Sequence, residues 1–505
     1  MPSPTRRTFL KAVGAIGAMT AGSGLLRVPA AAAASSLRAV YHLTPPAGWL
    51  SDPQRPVFTG GEYHMYYLHA DHDNGPGSWE HVTTGDTVAF TDRGTGIPMG
   101  TNFPVWTGST VVDANNTAGF GAGAVVAIAT QPTGGDRYQQ EQYLYYSTDG
   151  GYTFIAHGAP VIINPDHNDW FRDPKIHWDG ARSEWIAVIG RQQQMWFYTS
   201  PDLLTWTHCS VFSYTNPNIG GFECPDLFEM TADDGTHHWV LGASTQGDYS
   251  GQPDTYGYWI GDWDGSNYLP AGQDPQWLDW GWDWYAAVTW ADESNPSTKR
   301  FALGWMNNWH YAGGSVPTDS SDGYNGQMSI VRELQLAKQS GGWYTLLSQP
   351  TSALQNHVTR TLSFSDVATT DRADLPYNGS AYELELDIDW DQLNNVGLSV
   401  GKSADGSRHT NIGVYQGAIY VDRAPSEQSG YSFNGYNQSN APIDPNARSV
   451  HFKVLVDRQS VEVFVNAGYT ILSNLVFFQD GDTGISFYAD GGRAAFTNIS
   501  IKEFA

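Results

Sequence analysis

The chain has 505 residues, 40% of them hydrophobic and 15% charged, a balance that excludes a disordered chain and leaves length for two or three domains. Its formal net charge of -26 repels polyanions, so nucleic acid and an anionic membrane surface are excluded as partners and a neutral substrate is favoured. The 55 Gly and the 13% aromatic content, with 20 Trp, suit many short strands joined by turns.

Residues 1–34 read as an export signal. Thr5-Arg6-Arg7-Thr8-Phe9-Leu10-Lys11 is a twin-arginine pattern, Ala12 to Leu26 is modestly apolar, and Ala30 to Ala34 offers small residues to a signal peptidase. A membrane anchor is the competing reading. It fails because Gly14, Gly17, Gly22 and Gly24 interrupt a stretch shorter than the roughly 20 apolar residues that a span needs. A secreted, extracellular protein is expected, folded before export, with Cys209 and Cys224 as free thiols.

From residue 35 to residue 350 the pattern is β. Tyr63 to His69 alternates after a Gly-Gly turn. Further strands are predicted over Gly123 to Ala129, Tyr143 to Ser147, Glu184 to Gly190, Gln194 to Thr199, His238 to Ala243 and Tyr256 to Gly261. Units recur about every 50 to 65 residues, roughly five in all, and a propeller of four-stranded sheets hides so many edges. A two-layer sandwich is the alternative that periodicity leaves open. After a connector at 351–365, Tyr382 to Ile388, His451 to Asp457, Ser460 to Asn466 and Thr483 to Tyr488 alternate cleanly, which predicts an antiparallel β-sandwich over 366–505.

Three acidic residues sit in unusual company: Asp52 before Pro53, Asp173 before Pro174, and Glu223 ahead of Cys224-Pro225, each among aromatic residues. Proline removes a ladder donor and restricts its predecessor to extended geometry. Each carboxylate is therefore expected to leave the sheet and point into a cavity. No His/Cys set has metal-ligand spacing and no Gly-rich loop joins a strand to a helix, so no metal or other cofactor is expected. His69 and His72 frame Asp71 to Asp73, a segment expected at the rim of that cavity.

These segments resemble the signature of glycoside hydrolase family 32: Trp49-Leu50-Ser51-Asp52-Pro53, Arg172-Asp173-Pro174 and Glu223-Cys224. Trp106-Thr107-Gly108-Ser109, Asp283-Trp284-Tyr285-Ala286, Gly304-Trp305-Met306-Asn307-Asn308-Trp309 and Ser460 to Asn466 extend the match across the mature chain. The resemblance implies an all-β fold, a five-bladed β-propeller followed by a C-terminal β-sandwich. It implies a fructan substrate, with Asp52 as nucleophile, Glu223 as acid and base, and Asp173 as transition-state stabiliser. It further implies substrate contacts from Trp49, Gln54, Trp106, Ser109, Arg172, Cys224, Asp283, Tyr285 and Trp309, with Trp284 as a further ring face. Retention needs one ionised and one protonated carboxyl about 5 to 5.5 Å apart. Like-charge repulsion is expected to raise the acid while Arg172 keeps Asp173 ionised.

Ser51-Asp52-Pro53-Gln54-Arg55, Leu68 and Trp277 to Tyr285 depart from the family's sucrose and inulin pattern and resemble its levan-specific branch. Members of that branch hydrolyse β-2,6-fructan to levanbiose or, as fructotransferases, close the disaccharide into difructose dianhydride IV. The short Pro165 to Asp169 segment favours hydrolysis. A fructan-binding propeller without activity would replace a carboxylate, and none is replaced. An inverting arabinan-cleaving propeller would not carry the Arg-Asp-Pro and Glu-Cys blocks in this order.

Overall fold

The computed structural model describes residues 36–71, 77–100, 104–132, 139–166, 170–216, 219–247, 254–392, 395–426 and 431–504. The export signal with its cleavage region, His72, Asp73 and residues 167–169 ahead of the Arg-Asp-Pro block lie outside the described residues. Residues 35–505 form one compact unit. Among the described residues a five-residue segment, Pro317–Ser321, is the one α-helix, and no helix is long and apolar enough to cross a membrane.

The strands fall where alternation or continuous apolar runs place them. In chain order they are β1 (Gly48–Thr59), β2 (Glu62–Ala70), β3 (Ser78–Thr84), β4 (Thr91–Ile97), β5 (Gly108–Asp113), β6 (Ala124–Pro132), β7 (Gln140–Ser147) and β8 (Ile155–Ile162). These make two antiparallel meanders joined by one parallel pairing, Arg55 with Ser109. β6 is buried along its whole length, as a strand covered on both faces must be. A second sheet holds β9 (Arg172–Asp179), β10 (Glu184–Arg191), β11 (Gln194–Ser200) and β12 (Thr207–Ser213). A third holds β13 (Phe222–Thr231), β14 (His237–Thr245), β15 (Tyr256–Trp263) and β16 (Tyr268–Pro270), with β17 (Gln276–Trp277) also on β15. A fourth holds β18 (Tyr285–Ala291), β19 (Arg300–Trp305), β21 (Arg332–Lys338) and β22 (Tyr344–Pro350), while β20 (Tyr324–Asn325) pairs with β1. The first strands are neighbours in turn: β1 packs beside β5, β5 beside β9, β9 beside β13, β13 beside β18, and β18 beside β1.

Beyond residue 357 a seven-stranded and a six-stranded antiparallel sheet share one core. Leu384, Leu386 and Ile388 alternate on Tyr382–Trp390 and meet Leu398, Val400 and Phe487 from the other sheet. Buried charges tie these sheets to the rest. His42 bonds Asp457 at 2.9 Å and Glu462 at 3.0 Å, and Arg332 lies 2.8 Å from both Asp279 and Glu462. Burial alone lowers a histidine, but its two carboxylate partners outweigh that and carry His42 to about 9.

Candidate active site

Four first strands break their ladders where they meet one another. β1 shifts register between Leu50 and Pro53 and again between Gln54 and Val57, and β13 shifts between Glu223 and Asp226. β10 shifts register against β9 between Val188 and Gly190, beside Arg172, and β18 shifts between Tyr285 and Val288. Such bulges re-aim side chains out of the pleat. The expected extended geometry ahead of the prolines is corrected at two positions: Asp173 has φ +64° and Cys224 φ +46°. Proline bars its predecessor from the right-handed helical region. The bulge then needs a left-handed residue to turn each side chain inward, at about 1–3 kcal/mol of strain.

The three carboxyl groups converge around Cys224. Its sulfur lies 3.7 Å from Asp173 Oδ2 and 4.0 Å from Asp52 Oδ2, and its backbone N–H donates to Asp173 Oδ2 at 3.0 Å. Thr107 donates its hydroxyl to Asp52 Oδ2 at 2.5 Å, while Asp52 Oδ1 is buried with no partner among the described residues. Glu223 is ringed by donors: Tyr285 Oη at 2.5 Å and Gln246 Nε2 at 3.2 Å on Oε2, and Arg172 Nε at 3.0 Å on Oε1. Arg172 in turn stacks over Trp170 at 4.3 Å.

Burial and the facing Asp173 raise Asp52 to about 7, against the Thr107 bond that lowers it. Burial raises Asp173 to about 6; Arg172 pulls it down and Glu223 pushes it up. Arg172 therefore lowers Asp173 without holding it in the ordinary carboxylate range, because burial outweighs it. The Cys224 thiol is pushed far up by burial and by the surrounding carboxylates, so it stays protonated.

The other sequence-predicted contacts divide. Tyr285, Arg172 and Cys224 join the carboxylates. Trp49 is buried against Trp305 and Trp309, and Trp309, 41% exposed, stacks on Trp49 and offers an open face. Gln54 and Ser109 are fully buried and already bonded. Gln54 Nε2 donates to Asp52 O at 2.8 Å and its Oε1 accepts Gly108 N at 2.7 Å; Ser109 Oγ accepts Ile176 N at 3.0 Å. They brace the strands that carry the site. Trp106 accepts Trp79 Nε1 on its carbonyl. Asp283 is taken out of the site altogether: its Oδ2 meets Arg423 at 2.6 Å and Leu475 N at 2.8 Å, and Tyr311 closes Oδ1. Trp284 is core, bonded to Ser329 at 3.0 Å beneath Arg332.

Thr107 and Gln246 are the residues that sequence reasoning missed. Thr107 lies inside the Trp-Thr-Gly-Ser block. A Cβ on Gly108 would meet Ile128 O at 2.1 Å, so the glycine is what allows the start of β5 to press onto β6 and present Thr107. Gln246 follows Thr245, the partner of Phe222 across β13 and β14, and becomes visible only once that register is known.

Converging carboxyl groups, one with an oxygen unbonded among the described residues and another among proton donors, fit the class of glycoside hydrolases, in which a pair of acids flanks the scissile bond. The chain belongs to glycosyl hydrolases family 32. It matches the family's N-terminal domain over residues 42–350 and its C-terminal domain over residues 343–503. It is 45% identical over 476 residues to a levanbiose-producing levanase of Bacillus subtilis (strain 168), covering 92% of this chain and 91% of that protein. A levanbiose-producing levanase of Geobacillus stearothermophilus is 43% identical, covering 78% of this chain and 100% of that protein. Among solved structures, exo-inulinase from Aspergillus awamori superposes with a TM-score of 0.83 at 25% identity, covering 93% of this chain and 99% of that one.

Proposed function

We propose that this protein is an exported, retaining glycoside hydrolase that cleaves β-2,6-fructan (levan) from the chain end and releases levanbiose. The observation that carries the substrate and product is its similarity to two levanbiose-producing levanases over most of its length. The same similarity favours water over an internal hydroxyl as acceptor, and so hydrolysis over formation of the dianhydride. Export rests on the twin-arginine pattern Thr5 to Lys11.

In this reading residues 35–350 form a five-bladed β-propeller, which the five successive meanders and the return of β18 to β1 support. Residues 351–365 link it to a β-sandwich over 366–505. Asp52 Oδ1 attacks the anomeric C2 of the fructosyl unit, the C2–O bond breaks, and the departing oxygen takes the proton of Glu223. Glu223 then takes a proton from water as that oxygen attacks C2, and Asp52 leaves. Two inversions return the β configuration. Asp173 faces the positive charge that develops at C2. Asp52 and Asp173 between them retain a proton into the neutral range, and its titration belongs to the pair.

Chromatography of the products from levan tests the reading, together with reducing-end assay. Levanbiose with matching reducing equivalents is expected. Disaccharide without reducing power would transfer the protein to the fructotransferases, and free fructose as the main first product would overturn both.

A further inference from the structure

The strands that carry the site continue past it. On β1, Arg55 to Phe58 follow Asp52; on β9, Trp178 lies beyond Asp173; on β18, Trp290 lies beyond Tyr285. At about 3.3 Å per residue their far ends lie on the order of 15 Å from the carboxylates. Between the two levels is a buried polar layer. Lys175 Nζ stands 3.1 Å from Asp226 Oδ2, which accepts Thr289 Oγ1 at 2.6 Å, and Arg300 Nε bonds the same hydroxyl at 3.2 Å. Arg55 Nη1 donates to Ile176 O.

Beyond this layer opens a cavity of about 440 Å³, within the size range of small-molecule sites. Trp178, Trp185, Trp290 and Tyr63 wall it, with Arg55 and Glu293 among its lining residues. Trp290 is 4% exposed, and its indole N–H has no acceptor among the described residues.

We infer that this cavity is a second, non-catalytic carbohydrate site that takes a short stretch of fructan. The lining selects the class of ligand. Aromatic walls suit the apolar faces of sugar rings, while Arg55 and the Glu293 carboxylate supply donors and an acceptor for hydroxyls. An apolar ligand would leave those groups unpaired, and the carboxylate opposes an anion. The β-2,6 linkage of the ligand rests on the proposed function. A polymer held there keeps its ends at raised local concentration near the catalytic mouth.

Calorimetric titration of the Asp52→Asn enzyme with a β-2,6-linked fructotetraose tests the site. Two binding events are expected. Adding Trp178→Ala or Glu293→Gln should weaken one of them at least tenfold and spare the other; Glu293 is exposed, so the second variant does not put folding at stake. On otherwise wild-type enzyme, Glu293→Gln should leave kcat/KM on the tetrasaccharide within twofold and lower it severalfold on polymeric levan. A single event indifferent to both substitutions overturns the inference. So does inorganic phosphate that displaces the second event, since the site would then be one for anions. Wild-type enzyme that fails to cleave levan would fall on the proposed function alone, because the calorimetry reads the second site without turnover.

Discussion

The hydroxyl of Thr107 holds Asp52 Oδ2 at 2.5 Å, so one oxygen is oriented, while Oδ1 is buried with no hydrogen-bond partner among the described residues. Thr107→Val keeps the shape and removes the donor. That bond lowers the pKa of Asp52, so its loss should raise Asp52 further above about 7. The acid limb of kcat/KM should move to higher pH. A hydrogen bond to a charged group contributes about 1.5–3 kcal/mol, so kcat should fall roughly 10- to 100-fold. An unchanged pH profile would remove Thr107 from the machinery.

Asp52→Ala should lose several orders of magnitude in kcat with the fold intact, since no nucleophile remains. Glu223→Ala should slow both steps, but a fructoside with a good leaving group needs little protonation and should keep its first step. Azide should then restore turnover and give a β-fructosyl azide. Failure of rescue with normal labelling of Asp52 would point to another acid.

The raised carboxyls also set how stability follows pH. Asp52 stands near 7 and Asp173 near 6 in the fold, against about 3.9 for an unfolded aspartate. The native state binds these protons more tightly than the unfolded chain. That contribution is complete below the unfolded value and is lost as pH rises through the folded values. Asp52→Asn removes one such titration. Relative to wild type it should gain little at pH 4 and on the order of 4 kcal/mol at pH 8, about 1.36 kcal/mol for each unit. Melting curves at both values check it; equal differences at the two would show that Asp52 titrates normally.

Asp283 and Arg423 meet at 2.6 Å with both side chains wholly buried. Removing one partner of a buried pair leaves an uncompensated charge and costs about 3–5 kcal/mol. Arg423→Met should therefore lower the denaturation midpoint sharply, and Arg423→Met with Asp283→Leu should recover part of the loss. The kcat of the folded fraction should hold in both. A selective rise in KM for Asp283→Leu would return this residue to the substrate site.

Much of this architecture was legible along the chain. Tyr63 to His69, Glu184 to Gly190, Gln194 to Thr199 and Tyr382 to Ile388 all lie in strands extending at most a few residues beyond the expected limits, because alternation is written in neighbouring residues and needs no distant partner. The Asp-Pro, Asp-Pro and Glu-Cys-Pro segments marked the breaks in the ladders for the same reason. The left-handed turns at Asp173 and Cys224 came from the bulges those segments must fit.

The partner of each polar group was decided elsewhere. Sequence placed Arg172 beside Asp173, yet its side chain bonds Glu223, 51 positions away. Asp283 stands two residues from Tyr285, yet Tyr285 joins the carboxylates while Asp283 ties the segment ahead of β18 to Arg423, 140 positions on. Adjacent side chains on a strand, such as Arg172 and Asp173, point to opposite faces, while Asp283 precedes β18 and lies outside its alternation. Which face meets the cavity and which meets another sheet follows from strand neighbours and register, and those exist only after the chain has closed on itself.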